Sequence, residues 1–111
     1  MTMTNGIELT DAARGFLKAL ASDTRQQIML LFEGGVELTV NEVAERLSLA
    51  QSAASTQLAT LRDSGVLIAR REWKTVYYRV NSTGVARALT DLQVALQACC
   101  PPDSSPGAGC G

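Results

Sequence analysis

Hydrophobic residues recur every three or four positions through most of the chain, which is the spacing of helices that pack one face against a core. This spacing predicts five helices, and the first three begin after residues that can cap a helix N-terminus: Thr10, Ser22 and Thr39. Glu42 follows Thr39 at the spacing of a capping box. The five apolar stripes are, in chain order, Leu9, Ala13, Phe16, Leu17 and Leu20; Ile28, Leu31 and Phe32; Val43, Ala44 and Leu47; Ala54, Leu58 and Leu61; and Val85, Leu89, Leu92 and Leu96.

The period shortens to about two between the fourth and fifth helices. Residues 66–72 and 75–80 are rich in β-branched and aromatic side chains, which predicts a β-hairpin with Trp73 at its tip. The third and fourth helices are separated only by residues 48–50, the arrangement of a helix-turn-helix. The predicted fold is therefore mostly helical with a β-hairpin wing: a winged helix-turn-helix.

Charge is distributed unevenly along the chain. The 111 residues have a net charge of only -1, but residues 46–79 carry six basic and two acidic side chains. A basic middle segment between acidic ends favours a surface that binds phosphate, and double-stranded DNA is the expected partner. Solvated surface charge and a winged helix that binds protein are the alternatives.

The predicted fourth helix is the one expected to enter the major groove, because the second helix of a helix-turn-helix presents side chains from its N-terminal half to base edges. The hairpin that follows it supplies cations for the phosphates beside the groove. Trp73 fits either a contact with DNA or a half-buried packing role. The predicted DNA-binding residues are Gln51, Ser52, Ser55, Thr56 and Gln57 on the helix and Arg70, Arg71, Lys74 and Arg79 on the hairpin.

Other functional classes find little support in the sequence. The chain has no histidine, which removes histidine acid–base chemistry and the usual zinc-finger ligand sets. It also lacks a glycine-rich phosphate loop and a paired nucleophile and base, so neither an enzyme nor an organic cofactor is expected. No apolar run approaches the length of a membrane helix, and the N-terminus is polar, so the expected location is the cytoplasm, without a membrane partner.

Three segments together resemble the ArsR/SmtB family of metal-responsive repressors: ALASDTRQQIMLLF (19–32), LAQSAASTQLATLRDSGVL (49–67) and ARREWKTVYYRV (69–80). The resemblance covers roughly residues 9–100. It implies a homodimer formed through the first and last helices, and repression by operator binding that a ligand relieves. Ala50 departs from the usual capping serine, and Trp73 replaces the common glycine at the wing tip.

The best-known arsenic site of that family places cysteines at the start of the third helix, where this chain has Thr39 and Asn41. The only thiols are Cys99, Cys100 and Cys110, and a disulfide between the adjacent pair would be strained. Three thiolates suit trivalent arsenic or antimony, and two suffice for a methylated arsenical. Some family members hold arsenic through a similar cysteine pair and one further cysteine. Cadmium, lead and copper(I) also favour sulfur, and redox or persulfide sensing could use the same thiols.

The expected organisation is an N-terminal tail (1–8), a DNA-binding and dimerisation domain (9–100) and a flexible Pro/Gly/Ser tail (101–111) that carries Cys110. The predicted function is that of an arsenic(III)-responsive repressor. Ligand capture at the end of the last helix changes subunit packing and thereby lowers operator affinity.

Overall fold

The computed structural model describes residues 8–101, which form five helices and a three-stranded antiparallel sheet. Within this range no helix is long and apolar enough to cross a membrane. The strands lie in the order β1–β3–β2, and a single turn of 3-10 helix occupies Glu33–Gly35. The elements are α1 (Asp11–Ala19), α2 (Asp23–Leu31), β1 (Leu38–Thr39), α3 (Val40–Leu47), α4 (Gln51–Asp63), β2 (Leu67–Glu72), β3 (Thr75–Val80) and α5 (Ser82–Cys99).

The predicted helix starts are confirmed by their capping hydrogen bonds. The side chains of Thr10 and Ser22 each accept a hydrogen bond from the backbone N–H three residues later. Thr39 and Glu42 form both bonds of a capping box at the start of α3. Ala50 precedes α4 without a side-chain cap. Each cap satisfies a backbone donor that the first helical turn leaves without a partner, so local sequence alone determines these starts.

The core lies between the helices and the inner face of the sheet. The apolar stripe of α4 is fully buried, as predicted, and it packs with side chains from α2, α3 and both long strands. The largest fully buried side chains are Phe32, Ile28, Leu58, Leu61, Leu67, Val43 and Val66. This core fixes α4 against α2 and α3, so that the opposite face of α4 is exposed.

Strands β2 and β3 form the predicted hairpin, with Trp73 and Lys74 as its two-residue turn. We call this hairpin and its turn the wing. Leu67 pairs with Val80 and Glu72 with Thr75, so residues directly opposite each other share a face of the sheet. With α3 and α4 joined through residues 48–50, the wing completes a winged helix-turn-helix fold.

Two features differ from the sequence-based expectations. Strand β1 was not predicted, because it is only two residues long and depends on pairing with Tyr77 and Tyr78, far along the chain. Several leucines of the predicted apolar stripes are also exposed in the single chain. They lie on α1 and α5, and the exposed large apolar side chains of these helices are Leu17, Leu89, Val94 and Leu96.

Candidate DNA interface and C-terminal thiol pair

The exposed face of α4 carries four of the five side chains predicted to contact DNA from this helix: Gln51, Ser52, Ser55 and Thr56. They belong to its first two turns and lie outside the buried apolar stripe of Ala54, Leu58 and Leu61. The hydroxyl of Thr56 donates to the carbonyl oxygen of Ser52 at 3.0 Å, which leaves its oxygen lone pairs as acceptors. This face therefore presents small polar groups on a helix that the core holds rigidly.

Gln57, the fifth predicted residue of α4, is in a different environment. It is half-buried, and its side-chain oxygen Oε1 accepts a hydrogen bond from Nη1 of Arg25 at 2.9 Å. The same guanidinium donates through Nε to the carbonyl of Ala19 and through Nη2 to that of Lys18, each at 3.0 Å. Arg25 was not predicted from the sequence, because a residue 32 positions from Gln57 gives no local signal for this contact.

The wing cations lie on two opposite faces. Arg71 pairs with Val76 on the face that buries Leu67 and Tyr78 in the core, whereas Arg70 and Arg79 lie on the outer face. Alternation of side chains along a strand produces this separation. The four predicted wing cations are therefore not brought together into one cluster.

Lys74, at the wing tip, faces the start of the helix-turn-helix. A cleft of about 240 Å³ separates the tip from the first turns of α3 and α4, and Lys74 and Gln51 both line it. Arg71 and Lys74 are exposed and form no ion pair with any residue in the range 8–101. These two cations are available to a phosphate without losing an internal partner.

Arg70 has partners within the chain. Its Nε and Nη2 donate to the two carboxylate oxygens of Glu37 at 2.8 Å each, and Nη1 donates to Glu72 at 2.9 Å. The guanidinium also lies 4.5 Å from the ring centroid of Tyr77. The hydrogen bond from Arg70 lowers the pKa of Glu37, and both carboxylates raise the pKa of Arg70. The charge of Arg70 is therefore largely compensated before any phosphate approaches.

Trp73 is 90% exposed, so of its two predicted roles the structure does not give it the half-buried one. Its φ of 58° lies in the left-handed region, whereas Lys74 has a negative φ. A positive φ at the first position of a two-residue hairpin loop usually selects glycine. A tryptophan at this position strains the backbone and exposes apolar surface to water. Packing within residues 8–101 offsets neither effect.

Cys99 and Cys100 lie at the C-terminal end of α5, where both are exposed. Their sulfur atoms are 2.7 Å apart, and the hydrogen bond with Cys99 raises the pKa of the Cys100 thiol. Cys110 lies outside the described residues. Among residues 8–101, no group of three or more Cys, Asp or Glu side chains is placed to hold a metal ion.

The thiol pair is continuous with an apolar surface. Cys100 lines an open groove of about 680 Å³ along α5, together with Leu89, Leu92 and Leu96. A ligand that gathers sulfur atoms at this position would therefore alter the end of the same surface that carries the exposed leucines.

Comparison with known proteins shows what the chain is similar to. Residues 22–69 match the family described as bacterial regulatory protein, arsR family. The transcriptional activator HlyU of Vibrio cholerae is 43% identical over 76 residues, which is 68% of this chain and 68% of that protein. The arsenic resistance transcriptional regulator ArsR1 of Pseudomonas putida is 44% identical over 64 residues, which is 58% of this chain and 50% of that protein.

A solved structure supports the same comparison. The homodimeric winged helix-turn-helix DNA-binding domain Mb0332 from Mycobacterium bovis, determined by NMR, has a TM-score of 0.62 and 34% identity to this chain. The match covers 78% of this chain and 80% of that one. Because proteins named for different roles are similarly close, similarity alone does not select a ligand.

Proposed function

Because the chain belongs to the arsR family of bacterial regulatory proteins, which are DNA-binding regulators and not enzymes, we propose that it is an arsenic(III)-responsive repressor. It binds operator DNA as a homodimer and releases it when arsenic binds the thiols of Cys99, Cys100 and Cys110. The observation that carries this proposal is the pair of exposed adjacent thiols at the end of α5, one of which lines the apolar groove of that helix.

The exposed face of α4 and the neighbouring wing support operator binding. Gln51, Ser52, Ser55 and Thr56 offer hydrogen-bond donors and acceptors of the kind that read base edges. Arg71 and Lys74 supply positive charge beside that helix. Since operator DNA lies in the cytoplasm, the protein acts where its thiols stay reduced.

The exposed apolar side chains of α1 and α5 support dimerisation through these two helices. Leu17, Leu89, Val94 and Leu96 are each between 42% and 62% exposed in the single chain. A second copy would remove this surface from water and would place two α4 helices to contact two half-sites of a palindromic operator. The homodimeric solved relative has the same fold.

The donor set at the end of α5 fits trivalent arsenic. Arsenous acid condenses with three thiols, so that three As–S bonds replace three As–OH bonds and three water molecules leave, without any change of oxidation state. Each thiol proton leaves as part of a water molecule. Antimony(III) can react in the same way, and a methylated arsenical would use two of the thiols.

Release of DNA follows from the position of Cys100 in the groove of α5. Arsenic that draws Cys110 toward Cys99 and Cys100 changes the end of the dimerisation surface, and one packing of the two subunits becomes favoured. If that packing separates the two α4 helices from their half-sites, operator affinity falls by the differential affinity of arsenic for the two packings, typically about 1–3 kcal/mol.

The experiment measures release of DNA by arsenite. A duplex that the protein itself selects from a randomised pool is labelled, and its binding is followed by fluorescence anisotropy during arsenite titration. Cys99→Ser, Cys100→Ser and Cys110→Ser should each bind the duplex as tightly as the wild type and fail to release it. Ala98→Ser, in the same last turn of α5 and exposed, is the matched control and should release normally. Normal release from all three cysteine variants would refute the arsenic site.

Thiol oxidation is the second candidate function, and the exposure of both described thiols favours it. Peroxide would take one hydrogen from each of two thiols, leaving a disulfide between Cys100 and Cys110 and two water molecules. Mass spectrometry of the released protein distinguishes the two functions. Oxidation lowers the mass by two hydrogens, whereas capture by three thiols adds one arsenic atom and removes three hydrogens per subunit.

A further inference from the structure

The cleft between the wing tip and the helix-turn-helix is lined by groups that favour an anion. Its walls carry one cation, Lys74, with the amide of Asn41 and the hydroxyl of Thr75, and no carboxylate of residues 8–101 lines it. All three side chains are exposed, and none makes a hydrogen bond or an ion pair with another residue in that range. Their donor groups are therefore not used within the described part of the chain.

Both walls of the cleft are held in place by secondary structure. Asn41 lies in the first turn of α3, where the capping box of Thr39 and Glu42 fixes the start of the helix. Strand β1 ends directly before this helix and pairs with β3, the strand that begins at Thr75. Because the sheet joins the two walls, donors from α3 and from the wing face one volume of about 240 Å³.

The position of the cleft indicates which anion would occupy it. Gln51, the first residue of α4, also lines the cleft. A helix that enters the major groove by its N-terminal half brings its first residue to the edge of the groove, where the backbone phosphates lie. Lysine, asparagine and threonine side chains all donate to phosphate oxygens in protein–DNA complexes.

We propose that this cleft binds one backbone phosphate of each operator half-site, held between Asn41 of α3 and Lys74 and Thr75 of the wing. The inference rests on the proposed function in requiring operator binding, but it does not depend on the thiol ligand. It adds Asn41 and Thr75 to the residues predicted to contact DNA. Phosphate contacts fix the register of a protein on the duplex, so this one positions α4 along the groove.

The experiment locates this phosphate. Each phosphate of the selected duplex is replaced in turn by a neutral methylphosphonate, symmetrically in both half-sites, and affinity is measured by fluorescence anisotropy. At one position per half-site, the replacement should weaken wild-type binding about tenfold, equivalent to roughly 1.4 kcal/mol. In Lys74→Met and in Asn41→Ala the loss should be only about threefold, because each variant already lacks one contact with that phosphate.

Lys18→Met is the matched control for the change of charge. Lys18 is an exposed lysine on α1 that forms no ion pair with any residue in the range 8–101, and it does not line the cleft. This variant should show the wild-type response to every methylphosphonate.

The dependence of affinity on salt distinguishes the two kinds of donor. Lys74→Met should lower the slope of log affinity against log salt by about 1.8 in a dimer, since each subunit loses one cation from a phosphate. Asn41→Ala should bind about fivefold more weakly with an unchanged slope, because a neutral amide contributes a hydrogen bond but displaces no counterion.

Asn41→Asp tests the site without weakening α3, so it remains informative if another variant does not fold. A carboxylate in the first turn is favourable to the helix dipole, and the Tm should not fall. The same carboxylate would repel the phosphate. This variant should therefore bind the methylphosphonate duplex more tightly than the unmodified one, the reverse of the wild type.

Three results would exclude the site. Equal sensitivity to every methylphosphonate in wild type, Lys74→Met and Asn41→Ala would overturn the inference and leave operator binding intact, and so would a wild-type preference in Asn41→Asp. Inorganic phosphate that displaces the duplex more than chloride does at equal ionic strength, in wild type but not in Lys74→Met, would assign the cleft to a free anion instead. Failure of the wild type to select any duplex would refute the proposed function, and the inference with it.

Discussion

Arg70 and Arg71 are adjacent in β2, but they lie on opposite faces of the wing and only Arg70 forms ion pairs within residues 8–101. Arg70 lies on the outer face and is bound by Glu37 and Glu72, whereas Arg71 lies on the core-side face, which α4 packs against, and has no ion-pair partner within residues 8–101. Arg70→Ala and Arg71→Ala change the net charge equally. Only the second is expected to remove a phosphate contact.

The size of the difference follows from counterion release. Each phosphate neutralised by a protein cation contributes about 0.9 to the slope of log affinity against log salt, so one Arg71 per subunit contributes about 1.8 in a dimer. Over a fourfold rise in salt, from about 50 to about 200 mM, the wild-type dimer should therefore lose roughly twelvefold more affinity than Arg71→Ala. Arg70→Ala should keep a slope close to that of the wild type.

The measurement is fluorescence anisotropy with a selected duplex at four or more salt concentrations. The double variant Arg70→Ala/Glu37→Gln removes one charge of each sign and tests whether the carboxylate released by Arg70→Ala disturbs the slope. Equal slopes for Arg70→Ala and Arg71→Ala, or a larger decrease of the slope for Arg70→Ala, would refute this reasoning. It assigns Arg70 to an ion-paired outer face of the wing and Arg71 to a core-side face that contacts DNA.

Three further predictions concern the wing, the ion pair and the packing of α1. Trp73 is the only tryptophan and is 90% exposed, so its emission should change in proportion to saturation with the selected duplex; unchanged emission would place the wing tip away from DNA. Arg70 holds the pKa of Glu37 below its ordinary value of 4.5, so the pair stabilises the fold above that pH and the stabilisation is lost as the pH falls further. The difference in Tm between wild type and Glu37→Gln should therefore shrink on acidification from about pH 6 to about pH 3, and a growing difference would contradict this. A Cβ at Gly15 would lie 2.8 Å from the backbone oxygen of Ser64, so Gly15→Ala should destabilise the fold by about 1–2 kcal/mol in urea unfolding, since overpacking outweighs the helix propensity gained. A gain in stability would contradict this close contact.

The fold was predictable where its determinants are local. Thr10, Ser22 and Thr39 cap helices through bonds that span three residues, and these caps are readable in the sequence. The pairing of β1 with β3 could not be read in this way, because Leu38 meets Tyr78 only when the rest of the domain is assembled.

The candidate site was predictable in residue type but not in detail. Basic residues on the wing were recognised from charge and position, yet the ion pair that compensates Arg70 joins it to Glu37, 33 residues earlier. The placement of Arg70 and Arg71 on opposite faces could have been predicted from the sequence, because side chains alternate along the strands of a hairpin with a two-residue turn. The bond between Arg25 and Gln57 depends on packing of α1, α2 and α4, and no spacing rule indicates it.

Helix α1 is bonded to both halves of the proposed mechanism. At its start, the Thr10 hydroxyl donates to Asp91 of α5, the thiol-bearing helix, at 2.7 Å. At its end, its carbonyl oxygens hold Arg25, and Arg25 holds Gln57 on α4. A helix of nine residues does not bend easily, and close-packed cores shift between discrete arrangements more readily than they deform. If the packing of α5 changes as proposed, we therefore expect the change to reach α4 through a displacement of α1. If the proposed release by arsenite is correct, saturating operator DNA should weaken arsenite binding by the same factor by which arsenite weakens operator binding, because such coupling is reciprocal.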